Sequence, residues 1–153
     1  MKRYFIVALV LYIQCNIFAA SSHVLSWDLM SKLDSETGNM PSELAQLNQQ
    51  MVEITGFIVP LELDDSIDSV KEFLLVPDPL ACIHVPPPPV NQMVYVIMNK
   101  SIPLDMDLRG VILEGILTIY KEDDDLFSYE LAGKKATEAN IEFEDSFDEI
   151  WGY

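Results

Sequence analysis

Basic residues are scarce in this chain: 9 Lys and Arg stand against 25 Asp and Glu in 153 residues, a formal charge of −16. Coating a nucleic-acid duplex requires Lys and Arg to displace counterions from phosphates, so this balance excludes that class. The same field repels an anionic membrane surface. Cysteine is nearly missing as well. Cys15 and Cys82 are the only two, and without a Cys-x-x-Cys pair they exclude a disulfide framework and a dithiol exchange site. The six glycines form no phosphate-cradling loop and no Gly-x-Ser-x-Gly elbow, and His-Glu-x-x-His does not occur. What the chain has in quantity is apolar surface. Half of its residues are hydrophobic, which excludes disorder by composition, and the length suits one domain closing a single core.

Lys2 and Arg3 precede the apolar run Tyr4 to Ile13, which is followed by polar Gln14 and Asn16 and then Ala19-Ala20-Ser21-Ser22. A basic start, an apolar stretch too short to span comfortably and small residues at its end describe a signal peptide over residues 1–20 and predict export to the periplasm. Tyr12-Ile13-Gln14 before Cys15 lacks the form of a lipoprotein signal, and the interrupted, short apolar run argues against an uncleaved anchor. Cleavage after Ala19 or Ala20 removes Lys2 and Arg3 and no acid, so the exported chain carries two positive charges fewer, a formal −18. It then has no transmembrane span and keeps Cys82 alone. An unpaired cysteine in an oxidising compartment is buried, bonded to another chain or held by a metal.

Residues 21–50 read as an irregular or short-helical lead anchored by Trp27, Leu29, Met30 and Leu33, with one helical turn at Ser42–Leu47 that Ser42 is placed to cap. From Met51 the period changes. Strand patterns follow at Val52–Leu61, Phe73–Val76, Met93–Met98, Val111–Tyr120 and Phe127–Leu131, each rich in β-branched or aromatic residues and bounded by Pro, Gly, Asn or Asp. The acidic stretch Lys121–Asp125 most simply joins the last two as a hairpin. Gly56 and Gly115 interrupt long strands, where glycine marks a bulge or sharp bend. Five strands, two of them bent, predict a small OB-like barrel over residues 51–136; the alternative is an open antiparallel sheet with a helix on one face. Residues 137–153 form an acidic tail with Phe143, Phe147, Ile150 and Trp151 at helical spacing, either a helix docking on the barrel or a partner-binding arm.

The most distinctive stretch is Ala81-Cys82-Ile83-His84-Val85-Pro86-Pro87-Pro88-Pro89-Val90-Asn91-Gln92. Its prolines fix their own φ and push each preceding residue to extended geometry, predicting a stiff polyproline rod over Val85–Pro89 with no backbone donors in its prolines. Together with Trp27, Gly56-Phe57-Ile58-Val59-Pro60-Leu61 and Phe73-Leu74-Leu75-Val76-Pro77, this string resembles a bacterial exported family known as domain of unknown function three-two-nine-nine. The resemblance spans Trp27 to Tyr120. It departs at Asn48-Gln49-Gln50, where such sequences tend to carry a Gly-Lys turn. The resemblance implies an envelope protein without assigned catalysis, in some genomes encoded near ABC-transporter components and zinc-responsive genes.

Cys82 and His84 are two apart, so in extended backbone both project to one side, a pairing of thiolate and imidazole that suits Zn²⁺ or Cu(I). Two ligands do not complete a tetrahedral site. The alternatives are a buried thiol beside a hydrogen-bonded imidazole, with the prolines shaping the turn, or a reactive thiol. Neighbours at i and i+2 are rarely poised for a base to reach a nucleophile. The many carboxylates offer acid–base pairs everywhere and identify none. The resulting expectation is a non-enzymatic periplasmic binding or accessory module, associated with an ABC-transporter or metal-homeostasis system. Its partner, an envelope protein or transporter component, would be engaged through Pro86, Pro87, Pro88, Pro89, Asn91 and Gln92. The alternative is a zinc or copper chaperone or sensor that uses Cys82 and His84.

Overall fold

The computed structural model describes residues 22–61, 68–78, 88–104, 110–120, 127–139 and 141. The elements are β1 (His23–Val24), α1 (Trp27–Met30), α2 (Ser42–Gln46), β2 (Met51–Pro60), β3 (Ser69–Val76), a 3-10 turn (Val90–Gln92), β4 (Val94–Pro103), β5 (Val111–Ile119) and β6 (Tyr129–Glu138). Strands β2, β3, β4, β6 and β5 are hydrogen-bonded in that order, and β5 pairs back onto β2, closing a five-stranded barrel; β1 is an extra strand on β2. The barrel pairs are antiparallel except β4 with β6, which is parallel, as is β1 with β2. This is the OB-like barrel expected from the strand pattern, and the open-sheet alternative is excluded by the β2–β5 closure.

Closure depends on β2 serving two neighbours. Met51 to Gly56 pair with β5, and Phe57 to Pro60 pair with β3, so the change of partner falls at Gly56. A side chain there would place its β-carbon 2.7 Å from the Val76 carbonyl oxygen. Gly115 marks the second irregularity: the β5–β6 register shifts between Glu114 and Gly115, as expected of glycine inside a long strand. The last two barrel strands do form a hairpin, with Ile119 opposite Tyr129. β6 is longer than Phe127–Leu131. It begins at Tyr129 and runs to Glu138, because β5 offers pairing partners as far as Val111. Thr137 and Glu138 therefore belong to the barrel and not to the tail. Of that tail, only residues up to 139 and residue 141 are described, so the expected helix with Phe143, Phe147, Ile150 and Trp151 lies outside the described residues.

Strand alternation fills the interior. β5 shows strict in–out alternation, and Phe73, Leu75, Val94, Val96, Leu113, Leu117, Tyr129 and Leu131 are all fully buried. The lead is part of the same core. Leu25, Met30, Leu33 and Leu44 are buried in one cluster with the barrel residues, each contributing about 1.5–3 kcal/mol of burial. Within α1, the Ser26 hydroxyl accepts from the Leu29 N–H at 3.2 Å, a cap that satisfies an otherwise orphan donor. At α2 the expectation fails in detail. Pro41, not Ser42, occupies the cap position and no side chain caps the turn; the Pro41 carbonyl instead accepts from Ala45 N–H.

Candidate functional site

Four of the candidate residues, Cys82, His84, Pro86 and Pro87, lie outside the described residues. Pro88 is half-buried and Pro89 exposed, the latter at φ −60° and ψ 153°, within the polyproline geometry its neighbours predict. The Pro89 carbonyl accepts from the Gln92 N–H at 2.8 Å and so starts the 3-10 turn that brings Asn91 and Gln92 to face the lead.

Both carboxamides point inward to backbone carbonyls. Asn91 Nδ2 donates to the carbonyl oxygens of Ser31 and Leu33, at 3.1 and 2.9 Å. Gln92 Nε2 donates to Trp27 O at 3.2 Å. A short helix leaves its last carbonyls unsatisfied, and Asn91 donates to the carbonyls at and beyond the C-terminal end of α1, while Gln92 adds a second donor to Trp27 O, which also accepts from Ser31 N–H at 2.9 Å. Two further bonds hold the same segment. Trp27 Nε1 donates to Thr55 O at 2.7 Å, and the buried Tyr129 hydroxyl donates to Met30 O at 2.8 Å. Burial pushes the Tyr129 phenol well above the ordinary phenol range, so it stays a proton donor. The residues that carry the family resemblance and are far apart in sequence, Trp27, Gly56, Asn91 and Gln92, thus converge on one clasp between lead and barrel.

The departure at Asn48-Gln49-Gln50 keeps the turn it interrupts. Gln49 adopts φ 62°, the left-handed region that glycine occupies freely. Its N–H donates to Leu117 O at 2.7 Å, its Nε2 donates to Thr118 Oγ1, and Asn48 Oδ1 accepts from Ile119 N–H.

A surface depression of about 370 Å³ lies beside β1, α1 and α2, lined by His23, Leu29, Glu43, Leu47 and Gln50 among others. It holds one imidazole and one carboxylate. Among the described residues no three His, Cys, Asp or Glu side chains group as metal ligands.

The outer surface of β3, β4 and β6 has a different character, and sequence reasoning did not single it out. Leu74, Tyr95 and Glu130 lie side by side across these strands, and Tyr95 faces outward between buried Val94 and Val96. The Tyr95 ring stacks on Phe127 with centroids 5.1 Å apart and planes 13° from parallel. Tyr95 Oη donates to Glu72 Oε2 at 3.0 Å, and Tyr120 Oη donates to Glu130 Oε2 at 3.0 Å. The bond to Glu72, then partial burial, then the charges of Glu72 and Glu130 raise the Tyr95 phenol above its usual value. The available signal was an aromatic residue at the outward phase of a strand between buried Val94 and Val96.

These features define a class by architecture: a small OB-like barrel, filled by its own side chains, with an N-terminal lead clasped against it by a carboxamide pair. The chain belongs to the family described as Protein of unknown function (DUF3299), whose model matches residues 24–139, from β1 to the residue after β6. It is also similar to the crystal structure of a DUF3299 family protein from Pseudomonas aeruginosa PAO1. The TM-score is 0.58 and the identity 27%, covering 80% of this chain and 99% of that one. No curated protein matches the chain.

Proposed function

We propose that this chain is a non-enzymatic, exported binding or accessory module that works in the periplasm by docking a protein partner on its outer surface, in the service of a transporter or metal-homeostasis system. The observation that carries the reading is the contrast between the two sides of the barrel wall. The interior is occupied by Phe73, Leu75, Val96, Leu113 and Tyr129 at 0% exposure, whereas the outer face of β3, β4 and β6 presents aromatic rings and carboxylates. A barrel filled in this way leaves recognition to its surface, as OB-type barrels commonly do. The signal-like residues 1–20 support export, and among the described residues no helix is long and apolar enough to cross a membrane.

The test has two arms. Fractionation with N-terminal sequencing is expected to find the chain in the periplasm, beginning at Ala20 or Ser21. Crosslinking in intact envelopes is expected to capture one discrete protein in stoichiometric yield. A chain that stays in the cytosol, or an envelope that yields no partner, overturns the reading.

A further inference from the structure

We infer that the outer face around Tyr95 is a docking site for an arginine-bearing segment of a partner protein, an inference that rests on the reading of the chain as a partner-binding module. Two carboxylates frame an aromatic stack on this face. Glu130 is the direct neighbour of Tyr95 on β6, and Glu72 accepts the Tyr95 phenol proton. Each carboxylate is oriented by a neutral phenol, which holds one oxygen without cancelling the charge. The two ion pairs formed among the described residues lie elsewhere, between Lys32 and Asp28 and between Lys135 and Glu114. Glu72 is exposed and Glu130 half-buried, and neither is paired with a cation among the described residues.

An anion fixed beside an aromatic face is the complement of a guanidinium. The cation is attracted to the ring quadrupole, and its planar fork matches a carboxylate in two parallel hydrogen bonds. Arginine does both at once, whereas a lysine ammonium is a strongly hydrated point charge that fits this geometry less well. The net negative charge, a formal −18 once Lys2 and Arg3 are removed, attracts a basic segment and holds off nucleic acid and anionic lipid. Barrels of this architecture that bind oligonucleotides need basic residues there. Here the sign is reversed, and so is the occupant.

The test titrates fluorescein-labelled Gly-Arg repeat, Gly-Lys repeat and Gly-Glu repeat peptides against the purified protein by anisotropy, with amide NMR shifts to map contacts. The Gly-Arg peptide is expected to bind and to shift Tyr95, Phe127 and Glu130, with the Gly-Lys peptide several-fold weaker and the Gly-Glu peptide silent. Glu72→Gln with Glu130→Gln keeps both acceptors for the phenols, so the fold is retained, and is expected to weaken Gly-Arg binding about tenfold. Glu36→Gln with Glu43→Gln makes the same change in charge in the lead and is expected to leave binding unchanged. Equal weakening by both double variants, shifts that map away from Tyr95, or no Gly-Arg binding overturns the proposal. So does binding of a single-stranded oligonucleotide that Glu72→Gln with Glu130→Gln abolishes. A partner captured from envelopes through another surface overturns this site while leaving the wider reading in place.

Discussion

The Cζ2 atom of Trp27 lies 3.1 Å from where a β-carbon at Gly56 would stand. The indole and the absent side chain are two halves of one contact, and Trp27 Nε1 reaches the neighbouring Thr55 carbonyl from there. Gly56→Ala adds a carbon that also meets the Val76 carbonyl oxygen at 2.7 Å, and backbone inside the β2–β3 pairing has little room to yield. Urea denaturation is expected to show a loss of about 1–3 kcal/mol, the usual range for overpacking. Unchanged stability would mean that the lead is not seated as described.

Asn91 gives a test of the clasp that separates structure from partner binding. Asn91→Ala leaves the Ser31 and Leu33 carbonyls without this donor and is expected to lower stability by about 1–2 kcal/mol. Asn91→Asp keeps the shape but turns a donor into an anion facing two carbonyl oxygens, and is expected to lose more than the alanine variant. The urea midpoints of the two variants, compared with wild type, decide it; the reverse order would assign Asn91 to something other than holding α1.

Gln49 holds a conformation that costs a non-glycine residue about 1–2 kcal/mol, partly offset by its bonds to Leu117 and Thr118. Gln49→Gly relieves the backbone and retains the N–H bond to Leu117, and is expected to raise stability by about 0.5 kcal/mol despite the entropy glycine brings to the unfolded chain. Gln49→Val, β-branched at positive φ, is expected to lower it. The two thermal midpoints should move in opposite directions.

Tyr129 ties stability to alkaline pH. Its folded-state pKa is raised above the unfolded value near 10, so its contribution is complete below pH 10 and is lost as pH rises through the folded-state value. Tyr129→Phe removes the bond to Met30 O and is expected to cost about 1 kcal/mol at neutral pH. That deficit should narrow above pH 10, where the wild-type phenol must ionise or stay buried against a rising penalty. Parallel pH profiles of the two proteins would contradict the assignment.

The barrel was legible because strand alternation is local. Val94 and Val96 against Tyr95, or Leu113 and Leu117 against Glu114 and Ile116, declare two faces within a few residues, and Gly56 and Gly115 mark where β2 changes partner and where the β5–β6 register shifts. The clasp was only half legible. Trp27, Asn91 and Gln92 stood out as residue types in a distinctive string, but their role depends on donors and acceptors some 60 residues apart. Nothing in a local window shows that Asn91 turns inward to two carbonyls and not outward to a partner. The face around Tyr95 was not legible at all as a site, since Glu72, Tyr95 and Glu130 come from β3, β4 and β6, while Tyr120 follows β5 and Phe127 precedes β6.

By itself the sequence determined the charge, the β class and the positions of the glycines inside the strands, because these follow from composition and from side-chain alternation along one strand. The tertiary structure alone decided which strands are neighbours. The parallel β4–β6 pairing sets Tyr95 beside Glu130, the β2–β5 pairing closes the barrel, and Leu25, Met30, Leu33 and Leu44 of the lead join its core. Those neighbours are joined by hydrogen bonds between distant segments, and such pairing is set by how the whole chain closes on its core and not by any stretch of it.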